Sequence, residues 1–129
     1  MKSNKVYIIA EIGVNHNGDI KLAKELISDC KKAGADAVKF QTYTSDKICH
    51  TDTKKANYQR KSKSNQSQLE MLRKYELSHK NFIELYNFSK TKKIDFITTI
   101  SDISDINFIT KDLKLNSIKV GSSDLTNIQ

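Results

Sequence analysis

The sequence predicts an α/β fold built on a parallel sheet, and three observations carry that reading. Short apolar runs such as Val6-Tyr7-Ile8-Ile9-Ala10 are continuous rather than alternating, as in strands covered on both faces. Between such runs, apolar residues recur every three or four positions, as on the buried stripe of a helix. The two patterns alternate along the chain, and strand–helix alternation joins parallel strands through right-handed crossovers.

The first strand is that opening run, continued through Glu11-Ile12-Gly13. Gly13, Asn15, Asn17 and Gly18 then break it. Asp19 opens a helix with Ile20, Ala23, Leu26, Ile27 and Cys30 on one stripe. Lys31-Lys32-Ala33-Gly34 ends it, with cations at the negative helix end and a glycine just beyond. Ala37-Val38-Lys39-Phe40-Gln41-Thr42-Tyr43 is the second strand. A polar excursion over residues 44–66 reads as the least ordered region, with a short helix returning around Leu69, Met71, Leu72 and Tyr75. Ser78 caps the next helix, which carries Phe82, Leu85, Tyr86 and Phe88. Ile94-Asp95-Phe96-Ile97-Thr98-Thr99-Ile100 is the third strand. Ser101 or Asp102 caps a helix striped by Ile103, Ile106, Ile109 and Leu113, and Ser117-Ile118-Lys119-Val120-Gly121 is the fourth strand.

At 37% hydrophobic and 29% charged, the chain is too apolar for disorder and too charged for a membrane protein. It holds no signal-peptide pattern and no run of ~18 apolar residues. Cys30 and Cys49 cannot make a disulfide framework, so a cytoplasmic setting is expected. The net charge of +7 is densest at Lys54, Lys55, Arg60, Lys61, Lys63, Arg73 and Lys74. That stretch reads as a solvated surface or an anion-binding loop. Its one aromatic, Tyr58, is too little interleaving for a single-strand-binding platform, and neither a nucleic-acid nor a membrane partner is expected. Three strand–helix units and a fourth strand fit a small four-stranded α/β domain or the first half of a barrel needing about 250 residues.

Catalytic groups of α/β barrels lie at the C-terminal strand ends. Those ends carry Glu11, with Asn15 and His16 in the following loop; Lys39 and Gln41, two apart and so on one face; Thr98, Thr99 and Ser101; and Lys119, Gly121, Ser122, Ser123 and Asp124. Lys39 and Lys119 sit in otherwise apolar strands, where a lysine is expensive to bury unless paired or bound to an anion. Two lysines with hydroxyls nearby point to a phosphate or carboxylate site.

These residues carry a resemblance. Ala10-Glu11-Ile12-Gly13-Val14-Asn15-His16-Asn17-Gly18 resembles the opening motif of the sialic acid synthase family, the N-acetylneuraminate and legionaminate synthases. The stretch from Ala33-Gly34-Ala35-Asp36 through Tyr43 is similar to its second-strand motif. Lys55-Ala56-Asn57-Tyr58-Gln59 and Ser67-Gln68-Leu69-Glu70-Met71-Leu72 resemble its long second loop. Lys119-Val120-Gly121-Ser122-Ser123-Asp124-Leu125-Thr126-Asn127 resembles its fourth-strand motif.

The resemblance implies a TIM barrel that condenses phosphoenolpyruvate with an N-acylated mannosamine-type sugar to a nonulosonic acid, releasing phosphate. Residues 1–129 would be its first half, four strands, apparently truncated. The second half and a C-terminal antifreeze-like domain would be absent, leaving the chain inactive alone. A divalent metal, Mn or Mg, is implied for the complete enzyme, with ligands that are not in this chain, and so is a homodimer. Carried over residue by residue, Lys39 and Lys119 would hold the carboxylate and phosphate of phosphoenolpyruvate. Thr99 and Ser122 would add hydrogen bonds, Glu11 and Gln41 would contact the sugar, and Asp124 would be an acid beside the reacting sugar and water.

Two local departures stand out. The family's third strand ends Ser-Thr-Pro-Phe where this chain reads Thr98-Thr99-Ile100-Ser101, and Ser123 replaces a usual glycine. His16 reads as a polar loop contact, His50 and His79 as surface, and no pair has metal-ligand spacing. Cys30 reads as core, and Cys49 beside His50 as a weak candidate thiolate pair. The rival readings are another phosphoenolpyruvate-dependent aldol synthase and a non-catalytic basic α/β module binding RNA or other anions.

Overall fold

A computed structural model describes residues 5–49 and 67–126. Its frame is a parallel sheet with strands β1 (Ile9–Gly13), β2 (Ala37–Thr42), β3 (Asp95–Ile100) and β4 (Lys119–Val120) in the order 1-2-3-4. Helix α1 (Ile20–Lys32) joins β1 to β2. Helices α2 (Ser45–Ile48), α3 (Gln68–Tyr75) and α4 (His79–Lys92) lie between β2 and β3, and α5 (Asp105–Asn107) runs into a π-helical turn, Phe108–Asp112, before β4.

The caps read from sequence at Asp19 and Ser78 form. The Asp19 carboxylate accepts the Lys21 and Leu22 N–H groups at the start of α1. Ser78 and Asn81 make a reciprocal capping box on α4, and Ser67 and Glu70 make one on α3. Side chains then alternate across the sheet. Val38 and Phe40 of β2 and Phe96 of β3 face the helices and pack with Ile27, Phe82 and Leu85. Phe40 stacks on Phe96 at 5.0 Å between ring centroids, and Phe82 meets both rings edge-on at 6.4 Å. The Thr42 and Thr98 hydroxyls, both buried, pair at 2.8 Å and pin β2 to β3 near their C-terminal ends. The opposite face carries Glu11, Lys39, Gln41, Thr99 and Lys119.

Three expectations about element limits are corrected. The first strand begins at Ile9, not Val6, and Val6, Tyr7, Ile8 and Ile9 are exposed rather than covered on both faces. The Asp36 carboxylate takes the Ile8 N–H at 2.9 Å and pairs with Lys5, so a side chain occupies the place of a ladder partner. The helix expected from Ser101 or Asp102 starts at Asp105. Asp102 instead accepts the Ser104 N–H at 2.8 Å, a local bond that competes with helix, and Ile103 is left 68% exposed. The fourth strand holds two residues instead of five, both exposed. The helix before it closes late, with Leu113 N–H donating to Phe108 and Leu115 N–H to Ile109, and Lys114 turns left-handed at φ +52°. The chain therefore reaches the sheet only at Lys119. A cavity of about 360 Å3, bordered by Tyr7, Tyr86, Asp95, Leu115 and Ser117, fills the gap.

The dense basic stretch from Lys54 to Lys63, His50, and most of the polar excursion lie outside the described residues. The helix expected to return after that excursion is α3.

Candidate functional site

Parallel pairing decides which side chains meet. Glu11 and Lys39 are register partners on β1 and β2, and they form an ion pair. The Lys39 ammonium also donates to the Thr99 hydroxyl at 3.5 Å. One step higher, Thr99 stands between Gln41 on β2 and Lys119 on β4. Four of the expected residues, Glu11, Lys39, Gln41 and Thr99, thus share one patch of the sheet's bare face, and Lys119 borders it. The Lys39 side chain is only 17% exposed and that of Glu11 47%. The lysine is therefore the desolvated partner, and the acid is the one open to a ligand.

The shape of β1 makes this possible. Its ladder shifts between Glu11 and Gly13, so Gly13 stands opposite Phe40. Gly13 is left-handed at φ +55°, which disfavours any side chain. A Cβ there would lie 3.2 Å from Glu11 Oε1 and 3.4 Å from Gln41 Nε2. The two polar groups therefore occupy the space that a side chain at position 13 would fill.

Sequence reasoning treated His16 as a polar loop contact. The structure buries it to 2% exposure, stacked over Phe40 at 6.0 Å. Burial holds its imidazole below the ordinary pKa, against an opposing interaction with the Gly13 backbone. Nδ1 accepts the Gly18 N–H at 3.0 Å. His79 lies at the surface as expected, its side chain 52% exposed, and Nε2 there lies 3.0 Å from the buried Asp105 carboxylate while the ring stacks on Phe108.

The rim beyond β2 is tied by groups whose role no motif announced. The Tyr43 hydroxyl donates to the Leu72 carbonyl at 3.1 Å. Burial, then the Glu76 charge and Tyr75, push its pKa to about 12. The Ser45 N–H donates to Glu76 Oε2 at 2.9 Å, and Lys47 reaches Asp102 and Ser104 across the mouth. These bonds connect the segment after β2 to α3 and to the segment after β3.

The β4 side is looser. Lys119 is exposed and makes no ion pair among the described residues. Ser122 is exposed in a 3-10 turn, Ser122–Asp124. Asp124 is not brought to the Glu11–Lys39 pair. Its carboxylate folds toward Gly121 and borders a separate cavity of about 390 Å3 with Ile100, Ile106, Ile118 and Val120. Among the described residues no group of three His, Cys, Asp or Glu side chains could hold a metal, so the described residues do not fit the implied Mn or Mg. None of the described helices is long and apolar enough to cross a membrane.

The arrangement offers one cation compensated by an acid and a second cation unpaired among the described residues, on either side of a threonine hydroxyl. A dianion could bridge such cations, and a polar neutral ligand could meet Glu11 and Gln41.

The model of the NeuB family matches residues 26–129. N,N'-diacetyllegionaminic acid synthase of Legionella pneumophila is 42% identical over 123 residues, which are 95% of this chain and 34% of that protein. The Campylobacter jejuni protein of the same name is 42% identical over 125 residues, 96% of this chain and 37% of its own length. The crystal structure of an N-acetylneuraminic acid synthetase from Leptospira borgpetersenii, in complex with citrate, superposes with a TM-score of 0.76 at 31% identity, over 96% of this chain and 39% of that one. The chain thus spans about a third of the length of the curated relatives it matches.

Proposed function

This chain belongs to the NeuB family, and from that premise we propose that its bare sheet face is part of a site for condensing phosphoenolpyruvate with an N-acylated mannosamine-type sugar. The observation that carries the proposal is the Glu11–Lys39–Thr99 contact with Lys119 one strand away. In the reaction, C3 of phosphoenolpyruvate bonds to the aldehyde carbon of the sugar, a water oxygen ends on C2, and phosphate leaves. The substrate is strongly anionic, and negative charge builds on the departing phosphate.

Lys39 and Lys119 hold the carboxylate and phosphate and stabilise that developing charge. Thr99 and Ser122 add hydrogen bonds. Glu11 and Gln41, both exposed on the same patch, contact the sugar. Asp124 joins them only when the turn after Gly121 re-aims its carboxylate out of the neighbouring cavity. A divalent ion belongs to the complete enzyme in this reading. A homodimer and a cytoplasmic setting belong to the same proposal.

Residues 1–129 alone are proposed to be inactive. Glu11, Gln41 and Lys119 are exposed, and a charge pair at ~4 Å in water-like surroundings is worth only about 1 kcal/mol. The test supplies phosphoenolpyruvate, N-acetylmannosamine or its diacetylated dideoxy analogue, and Mn, and follows phosphate and sugar acid. The expected result is no turnover by the chain alone. Activity should appear when a second polypeptide supplies the remaining two thirds of the Legionella relative, and Lys39→Ala should abolish it. Metal-dependent turnover near ~10 per second by the chain alone overturns the inactivity. No sugar acid from the combined polypeptides overturns the assigned reaction.

A further inference from the structure

We propose that His16 is a positioning residue for the Glu11 carboxylate, acting through the Gly13 bulge. The inference deepens the reading of Glu11 as a sugar contact and rests on it for its functional consequence.

Four observations converge on the imidazole. Its ring stacks on Phe40, and Phe40 is the residue that Gly13 faces across the β1–β2 ladder. One ring nitrogen, Nδ1, accepts the Gly18 N–H at 3.0 Å. The Gly13 backbone is the interaction that opposes the effect of burial on the ring. Gly13 in turn lies directly under Glu11 Oε1, where a Cβ would come within 3.2 Å. The Gly13 bulge thus stands between the Phe40 that the ring covers and the Glu11 carboxylate.

The far end of the loop is fixed independently. Gly18 at φ +78° packs so closely on α3 that a Cβ would lie 2.3 Å from the Lys74 carbonyl oxygen. His16 thus ties Gly13 to a loop end already seated on a helix, and its carbonyl also accepts the Asp19 N–H at 2.8 Å, just where α1 begins. With Nδ1 as acceptor, a ring that donates toward Gly13 is the neutral Nε2–H tautomer. The burial-lowered pKa agrees with a ring kept neutral.

A purely structural histidine would fill space over Phe40, and any substitution that kept the fold would serve. A positioning histidine requires its two nitrogens separately, and conservative variants divide them. His16→Asn keeps an acceptor near the place of Nδ1 and loses the reach to Gly13. His16→Gln keeps a donor near the place of Nε2 and loses the bond from Gly18.

The experiment uses the isotopically labelled 129-residue chain without ligand. It reads the nuclear Overhauser effect between the Glu11 γ-protons and the Lys39 ε-protons, together with exchange of the Gly18 amide. In His16→Gln the Glu11–Lys39 signal is expected to stay within about twofold of wild type while Gly18 exchanges more than about tenfold faster. In His16→Asn the pattern reverses, with the Glu11–Lys39 signal lost and Gly18 protected. Protection of the Phe40 and Thr98 amides reports that the sheet is intact. A Glu11–Lys39 signal retained in a folded His16→Asn chain overturns the proposal. Should neither variant fold, the nitrogen shifts of the wild-type ring decide. An Nε2–H tautomer is expected, and an Nδ1–H tautomer overturns the proposal.

Titration with N-acetylmannosamine and with phosphoenolpyruvate then tests the consequence. His16→Asn should weaken the sugar by more than about tenfold and phosphoenolpyruvate by less than about twofold. Equal weakening of both ligands overturns the link to Glu11. A wild-type chain that binds neither ligand counts against the assigned reaction, whereas the ligand-free signals still judge His16.

Discussion

Strands β2 and β4 carry the two lysines of the proposed site, yet they are built differently. Strand β2 is paired on both sides, over six residues with β3, and its Val38 and Phe40 lie fully buried under α1 and α4. Strand β4 is a two-residue edge, and its Val120 lies 48% exposed beside Ile103, Ile106 and Ile118. Lys39 is therefore held by register, core and an ion pair at once, whereas among the described residues Lys119 is placed by the two-residue pairing of β4 with Thr99 and Ile100. The position of a charged group is only as good as the apolar packing behind it, and here that packing fades across one sheet.

The largest expected effect sets the cores of the two strands against each other. Phe40→Ala removes a ring that touches Phe82, Phe96 and His16 and should destabilise the chain by about 3–5 kcal/mol. That is enough to unfold a domain of ordinary stability. Val120→Ala should change stability by less than about 0.5 kcal/mol. Urea unfolding followed by circular dichroism measures both. A Val120 effect above about 2 kcal/mol would mean that β4 is packed in solution and that the comparison is wrong.

The next effect comes from glycines on the two sides. Gly18→Ala meets a backbone oxygen at 2.3 Å in a left-handed conformation, and neither contact nor dihedral can give, so a loss on the order of 2–3 kcal/mol is expected. Gly121→Ala crowds Asp124 Oδ2, at 2.7 Å, and meets Ser123 Oγ at an ordinary 3.5 Å, with ordinary φ. The carboxylate can swing away, so less than about 1 kcal/mol should be lost. Thermal melts of the two variants rank them, and a larger loss at Gly121 would show that Asp124 is fixed where it lies.

Acid sharpens the same contrast. His16 in the folded chain is held below the ordinary imidazole pKa, first by burial. The unfolded chain therefore takes up its proton first as pH falls through about 6.5. Stability from this group is full above that pH and declines on acidification until the folded ring itself protonates. Asp36 and Asp102 are held low instead. The Ile8 N–H acts first on Asp36 and the Ser104 hydroxyl first on Asp102. Their contribution is lost only below about pH 4, outside the histidine window. Urea midpoints between pH 7 and 5 should fall in wild type, no more steeply than about 1.4 kcal/mol per pH unit from this one group. The fall should be shallower in His16→Gln. An equal slope in both chains would assign the effect elsewhere.

The sequence disclosed these two regions unequally. Periodicity, capping residues and strand composition placed β2, β3, α1 and α4 to within a residue or so, because each is long enough for local pattern and tertiary packing to agree. Strand polarity and side-chain alternation brought Glu11, Lys39 and Gln41 to the strand ends with the third-strand hydroxyls, and the family resemblance singled out Thr99 among those. Features that depend on pairing did not show. The bulge at Gly13 exists only relative to β2, and the short β4 follows from the late exit at Lys114. Asp102 looked like a helix cap because aspartate before an apolar stripe often is one, but its carboxylate closes a turn on Ser104. Asp124 was placed by motif, and a motif carries no information about which way a side chain turns after a two-residue strand.

The smallest expected effect is also the most discriminating for the site. Lys39→Met strands Glu11 beside an apolar side chain. Glu11 remains about half open to water, so the net change should be within about 1 kcal/mol and shrink with added salt. Lys119→Met removes a charge that is exposed, unpaired among the described residues and carried on the loosest strand. Its effect on stability should lie within about 0.5 kcal/mol and be insensitive to salt. Yet both variants should weaken phosphoenolpyruvate binding, because an incoming dianion needs both cations whatever each contributes to the fold. Paired urea titrations at low and high salt, with ligand titrations on the same samples, separate the two roles. If Lys119→Met lowered stability as much as Lys39→Met did, Lys119 would be anchored in solution by a contact absent from the described residues. The asymmetry between the strands would then be one of length and not of constraint.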